Sequence, residues 1–332
     1  MKRIYTLMLC ASVALFSNAA QAVTFKMATL SPDGSVWMNK LRGGAQEIKK
    51  RTDGRVKFKF YPGGVMGDSN AVLRKIRIGQ LHGGAFTGGS MTRFYKDNQI
   101  YSLVMKYRSA EEIKYVRQHL DAIIQKGLKK GGFATFGFAE SGFAYVMSSK
   151  NPVDSVESLR QQKAWIPAND EVALEAISAF GVTPIPLPLG DVLAGLQTGL
   201  IDTIAASPIG ALALQWYTQI KYITDLPILY SYGVLAISNK AFKKAKSNDQ
   251  KIITEVMTRI FKELDVINKN DNKLALAALK KQGVKFIKPS ASQIKEWLVY
   301  AKKSQQKMID SGRVSKDIVN KTDALIKKFN KK

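Results

Sequence analysis

The sequence predicts an α/β protein of two lobes, with mixed sheets, helices on both sheet faces and a helical C-terminal third. Short apolar runs alternate with amphipathic helices at the start of the chain, and a second alternation of this kind follows residue 142. Helical periodicity from residue 252 onwards predicts the helical end. Two such units in series predict two lobes with a cleft between them.

The first unit is predicted to run strand, helix, strand, helix, strand. We expect these elements at 23–30, 35–51, 56–61, 70–78 and 84–87. This order requires parallel strands with helices on the sheet faces. Ligands of such sheets bind beyond the carboxyl ends of the strands, which indicates the segments 29–33 and 86–90.

The second unit repeats the alternation. Its strands are expected at 144–148, 163–166 and 201–206, its helices at 172–180 and 191–198, and an extended connector at 184–188. Asp154, with Glu157 three residues later, predicts the start of a further helix. Gly181 and Gly199 predict helix ends.

The C-terminal third is expected to be helical around one short strand at 284–287. Ser290 and Gln293 form a capping box ahead of an apolar helical stripe. These stripes indicate packing, and we assign them no chemistry.

The N-terminus predicts export. Residues 1–22 combine a basic start, a short apolar core and an Ala20-Gln21-Ala22 cleavage site, which is typical of a signal peptide. The apolar core is too short to span a bilayer, so no stable membrane insertion is expected. Cys10, the single cysteine, leaves with this peptide, and the mature chain from about Val23 is predicted to be periplasmic.

The net charge of +25 favours anionic partners such as acidic ligands, lipid headgroups or nucleic acid. Predicted export and the lack of a nucleic-acid-binding motif argue against nucleic acid. Many lysines occur as Lys-Lys pairs on helical faces, which is typical of a solvated surface.

The sequence offers little catalytic chemistry. Its two histidines, His82 and His119, have no second ligand at metal spacing, and no metal site or cofactor is predicted. Ala139 breaks the G-x-S-x-G pattern around Ser141. We therefore do not expect an enzyme.

Two motifs carry more information. The first is Tyr61-Pro62-Gly63-Gly64-x-x-Gly67-Asp68 ahead of a helix, and the second is Leu196-Gln197-Thr198-Gly199-Leu200-Ile201-Asp202. In this order, and with the lobes and the signal peptide, the chain resembles the periplasmic solute-binding receptors of TRAP transporters, the DctP-type family.

The resemblance implies a two-lobed periplasmic binding protein. Such a receptor closes over a small organic ligand and delivers it to small and large TRAP membrane subunits for uptake driven by an ion gradient. The resemblance places one lobe at 23–142 plus 232–282 and the other at 143–231 plus 283–332.

Three positions depart from the family pattern. Trp165 stands where the family has an arginine that pairs with the ligand carboxylate, and Ala144, after Gly142-Phe143, stands where it has a second arginine. The family's asparagine falls near Ala206 and Ser207. A buried carboxylate without a cationic partner is costly, so the resemblance predicts a ligand more apolar or aromatic than a simple dicarboxylate, or another group that supplies the charge.

Other residues are candidates for the same site, and core packing is the alternative for each aromatic one. Trp165 offers an apolar face to a ligand if it lines the cleft. The remaining ligand-binding candidates are Phe143, Glu140, Thr87, Trp216 and Trp37. Two alternative functions stay open: a receptor that presents its ligand to a membrane sensor, and an exported enzyme on the same fold.

Overall fold

The computed structural model describes residues 22–331, so the predicted signal peptide lies outside the described residues except for its last one. The strands are β1 (Val23–Thr29), β2 (Val56–Tyr61), β3 (Gly83–Thr87), β4 (Phe133–Ser148), β5 (Trp165–Pro167), β6 (Ile185–Leu187), β7 (Thr203–Ala206), β8 (Tyr222–Ser238) and β9 (Lys285–Ile287). The helices are α1 (Val36–Arg51), α2 (Ser69–Arg77), α3 (Ala110–Lys130), α4 (Val156–Arg160), α5 (Glu171–Ser178), α6 (Val192–Thr198), α7 (Pro208–Ala213), α8 (Asn239–Phe242), α9 (Ser247–Lys281), α10 (Ala291–Asp310) and α11 (Lys316–Phe329).

The predicted strand–helix alternation is confirmed in the first unit. β1 pairs in parallel with both β2 and β3, as the strand–helix–strand order requires. Ser35 caps α1 and Asp68 caps α2, each through a side-chain oxygen that accepts a backbone N–H. The carboxyl ends of the three strands therefore lie side by side.

Two long antiparallel strands, β4 and β8, connect the halves of the main sheet. The sheet order is β2-β1-β3-β8-β4-β7, and β9 pairs with β8. β3 pairs with the end of β8, whereas β7 pairs with the end of β4. The chain thus crosses twice between the two halves, and the β4–β8 register shifts between Glu140 and Gly142.

Helices cover both faces of the sheet. Along β8, Val234 and Ala236 face one apolar cluster while Leu235 and Ile237 face the other. The alternation follows from the two-residue period of a strand. The 35-residue helix α9 covers one face, and α3 covers the other.

The structure corrects several sequence expectations. Ser155 caps α4 in a capping box with Ser158, so Asp154 and Glu157 do not define that helix start. The connector expected at 184–188 contains β6, which pairs in parallel with β5. β4 begins at Phe133 rather than at residue 144, and β8 lies in a segment for which no strand is predicted.

The predicted C-terminal helices are present as α9, α10 and α11, and the Ser290–Gln293 capping box is confirmed. α10 packs against α5, whereas α11 packs against α3. α3 and α11 are assigned to different lobes by the predicted division, which stays a prediction. Within residues 22–331, no helix is both long and apolar enough to cross a membrane.

Candidate functional site: a cleft between two walls

A cleft of about 1190 Å³ lies between two parts of the chain. One wall comes from residues 30–96, at the carboxyl ends of β1, β2 and β3. The opposite wall comes mainly from residues 167–190, around the start of α5. Clefts of this size are large enough for a small organic ligand.

The first motif shapes one wall of the cleft. Gly63, Gly64 and Gly67 all have positive φ, and an added Cβ at Gly67 would lie 2.8 Å from the Ala71 side chain. Glycine is therefore required for the turn to reach Asp68, whose carboxylate accepts from the Ala71 N–H at 2.7 Å. The motif places the start of α2 at the cleft.

Hydroxyl groups line the same wall. The side chains of Thr87 and Ser90 share a hydrogen bond at 2.9 Å, and Ser90 donates to Ser69 at 3.0 Å. Thr87, a predicted site residue, is exposed at the end of β3. These groups can donate to or accept from ligand oxygens.

Basic side chains also line this wall. Arg74, Arg77, Arg93 and Lys96 face the cleft, and none of them belongs to an ion pair within residues 22–331. Their charge is therefore available to an anion in the cleft.

The opposite wall carries acidic groups. Asp170 caps α5 by accepting from the Ala173 N–H at 2.9 Å, and burial raises the pKa of its carboxyl above the usual value. Its other oxygen faces Gly89 across the cleft, 3.5 Å from where a Cβ would stand. Glu171 is paired with Arg313 at 3.0 Å.

Two hydrogen bonds join the walls at the start of α2. The amide of Asn169 donates to Asp68 Oδ2 at 3.3 Å, and the amide of Asn70 donates to the Asn169 carbonyl at 3.4 Å. Asn169 has a φ of +62°, a conformation that asparagine tolerates better than most residues. These contacts tie the start of α2 to the loop that precedes α5.

Trp165 lies in an apolar cluster behind the second wall. It is 7% exposed, its ring meets Trp216 edge-on at 5.4 Å, and its indole N–H donates to the Leu187 carbonyl at 3.0 Å. Ala206 belongs to the same cluster. The cleft lining includes Pro167, two residues later, but not Trp165 itself.

Three more of the predicted residues lie on β4 where it pairs with β8: Phe143, Ala144 and Glu140. Ala144 is buried, and the Phe143 ring meets Tyr230 edge-on at 5.6 Å. Glu140 accepts from the Tyr230 hydroxyl at 3.3 Å. None of the three lines the cleft.

Glu140 belongs to a buried charge network around Arg117. The guanidinium donates to Asp265 at 2.7 Å and to Asp121 at 3.3 Å, and the Tyr230 hydroxyl links it to Glu140. Three carboxyl groups therefore surround one guanidinium. Burial raises the pKa of the Asp121 and Glu140 carboxyls.

The remaining predicted residues lie apart from the cleft lining. Ser207 is buried and caps α7 through the Gly210 N–H at 3.3 Å. Trp37 meets Phe261 edge-on at 5.6 Å and covers Gly233. Of the predicted site residues, the structure thus brings Trp165, Trp216 and Ala206 together, and it places Thr87 on the cleft.

Four residues that line the cleft were not among the predicted site residues: Arg93, Asn70, Asn169 and Asp170. Arg93 follows a loop without periodicity, and Asn70 looks like an ordinary first-turn helix residue. The one available signal was the rule that ligands bind beyond the strand ends, which indicated 86–90.

A family model described as "Bacterial extracellular solute-binding protein, family 7", DctP, matches residues 27–311. The chain belongs to this family. The DctP family comprises periplasmic transport proteins, and the TRAP resemblance is confirmed.

Two relatives are named for what they bind. The chain is 23% identical to the sialic acid-binding periplasmic protein SiaP of Vibrio cholerae, covering 97% of each chain. It is 25% identical to the 2,3-diketo-L-gulonate-binding periplasmic protein YiaO of Escherichia coli, covering 70% of each.

Solved structures of TRAP periplasmic solute-binding proteins share the two-lobed fold. A Ralstonia eutropha protein with bound (S)-2-acetolactate has a TM-score of 0.83 at 19% identity, covering 92% of this chain and 99% of that one. A Haemophilus influenzae protein with bound L-gulonate also has a TM-score of 0.83 at 19% identity, covering 91% and 99%. The predicted two-lobed α/β fold class is confirmed.

Proposed function

We propose that this DctP-family protein captures a small organic ligand between its two lobes and delivers it to the small and large TRAP membrane subunits for ion-gradient-driven uptake. The observation that carries the proposal is the cleft of about 1190 Å³ at the carboxyl ends of β1–β3, closed on its other side by the loop before α5. It is a binding protein, and no covalent step or cofactor enters its action.

The lobes are 23–142 plus 232–282 and 143–231 plus 283–332, joined along β4 and β8. The helix α11, at the end of the second lobe, packs on α3 of the first lobe and adds a contact between the two. Bound ligand favours the closed arrangement in proportion to its greater affinity for that state. The Asn169 contacts to Asp68 and Asn70 are of the kind that would form on closure.

The ligand is mainly apolar or aromatic, with an acid group at another end. Trp165 and Ala206 stand at two of the positions where the family resemblance places polar clamp groups, and they lie with Trp216 in one apolar cluster. Relatives with solved structures hold organic acids, including galacturonate, L-gulonate and orotic acid. An acid is therefore expected, but its usual partner at position 165 is absent.

Native mass spectrometry of protein purified from cells tests this ligand class. We expect a copurified organic acid with an apolar or aromatic portion. Recovery of a tightly bound small dicarboxylate would contradict it. Uptake of the recovered compound into cells with and without the TRAP membrane subunits tests delivery, and equal uptake would contradict that part of the proposal.

The variant Trp165→Arg tests the role of this position. Trp165 itself packs behind the second wall, and a charged arginine in its place would leave that apolar cluster for the cleft beside Pro167. It should then shift ligand preference towards simple carboxylates, because a planar fork pairs with both carboxylate oxygens. Thermal-shift profiles against a panel of acids measure this. Unchanged profiles of the folded variant would show that a side chain at position 165 does not reach the ligand.

A further inference from the structure

The cleft is basic although its expected arginine is absent. Its lining contains five basic side chains, Arg74, Arg77, Arg93, Lys96 and Arg313, and three acidic ones, Asp68, Asp170 and Glu171. Arg313 is held by Glu171 and Glu175, whereas the other four cations have no carboxylate partner within residues 22–331. An anionic group in the cleft would therefore meet unpaired positive charge on the first wall.

Arg93 differs from the other three cations because its guanidinium is held in place. Nη2 donates to the Asn70 side-chain oxygen at 2.6 Å, and the guanidinium lies 5.5 Å from the centre of the Phe94 ring. Phe94 is itself fixed against Phe133, with ring centroids 4.6 Å apart. A guanidinium fixed in this way loses little rotamer freedom when it binds.

The free edge of Arg93 matches a carboxylate. No hydrogen bond within residues 22–331 occupies Nε or Nη1, which leaves donors for a charge-assisted pair. The hydroxyls of Thr87 and Ser90 line the same wall and can serve further ligand oxygens.

We propose that Arg93 binds the acid group of the ligand, in place of the arginine that the family carries at position 165, and that Asn70 positions it. The inference rests on the proposed function, since it names where the ligand acid lies. It assigns the acid to the first wall and leaves the Trp165 side to the apolar part of the ligand.

The hydrogen bond between Arg93 and Asn70 also connects ligand binding to closure. Asn70 accepts from Arg93 and donates to the Asn169 carbonyl on the opposite wall at 3.4 Å. An anion that fixes Arg93 therefore also fixes Asn70, the residue that contacts the second wall.

The test compares aromatic acids with their neutral amides. Isothermal titration with benzoate and benzamide, and with phenylacetate and phenylacetamide, measures the acid preference of the full mature chain. We expect the wild type to prefer the acid, and Arg93→Gln to lose about 10- to 100-fold in affinity for the acid only. Asn70→Ala should lose part of that preference.

Arg108→Gln is the matched control, because Arg108 is exposed and lies outside the cleft lining. It should retain the acid preference within about twofold, as expected for a screened charge. Preference retained in Arg93→Gln overturns the Arg93 assignment and leaves the proposed function standing. No acid preference in the wild type overturns both the Arg93 assignment and the acid-ligand part of the proposed function.

Discussion

Truncation of Trp165 tests whether this side chain packs behind the cleft. The ring is 7% exposed and lies against Trp216. Removing a buried tryptophan side chain costs about 3–5 kcal/mol of unfolding free energy, so Trp165→Ala should lose that amount. Trp165→Phe keeps an aromatic ring against Trp216 but loses the indole N–H bond to Leu187 and the volume of three ring atoms, which together should cost about 1–2 kcal/mol.

The small cost for phenylalanine has a structural reason. The Leu187 carbonyl also accepts from the Ala168 N–H at 3.0 Å, so it keeps a partner after the substitution. Trp165→Ala and Trp165→Phe should therefore differ by about 1–4 kcal/mol.

Urea unfolding followed by far-UV circular dichroism measures these differences without relying on tryptophan fluorescence. Leu174→Ala is the control, because Leu174 on α5 is 47% exposed and should change stability by less than about 0.5 kcal/mol. A loss below about 1 kcal/mol for Trp165→Ala would show that the indole is not packed and lies open to the cleft.

Two further predictions concern the paired strands β4 and β8. Burial, and then the charge of Asp265, raises the pKa of Glu140 above its ordinary value of 4.5, so the folded state binds a proton more readily than the unfolded chain. The ionised carboxyl therefore costs stability above the raised pKa, and Glu140→Gln should stabilise the protein at pH 7. The gain should shrink as the pH falls through the raised pKa and be gone below 4.5, and a gain independent of pH in urea unfolding would contradict this. Gly233→Ala should cost about 1–3 kcal/mol, since its Cβ would lie 2.5 Å from Cη2 of Trp37. In Gly43→Ala the added Cβ would meet no atom of residues 22–331 within 4 Å outside its own helix backbone and chain neighbours, so the variant should gain about 0.5–1 kcal/mol in helix α1. Equal effects of the two substitutions in thermal unfolding would refute the packing argument.

The elements with a clear apolar period or a capping motif were predictable from sequence. Val56–Tyr61 alternates apolar and basic residues and forms β2 with these bounds. Ser290 and Gln293 specify the start of α10 through two reciprocal hydrogen bonds, which local sequence alone encodes.

The two long strands that connect the halves of the sheet were harder to predict. β4 and β8 run through both halves of the sheet, so the face that is buried changes along each strand and no single alternation covers it. β6 contains Pro186 and only three residues, and its strand character depends on pairing with β5.

The site was predictable only in part. Parallel strand order indicated the wall at Thr87, because ligands bind beyond strand ends. The anchoring of Arg93 depends on Asn70 from another element and on Phe94 packing against Phe133. Such contacts join residues that are distant in sequence, and no local pattern encodes them.

A crystal structure of the protein with the ligand it carries from cells tests the central claim most directly. We predict an organic acid in the cleft, with its acid group about 3 Å from the Arg93 guanidinium nitrogens and its apolar portion towards the Trp165 side. A ligand whose acid lies away from Arg93, or that binds outside the cleft, would contradict the account.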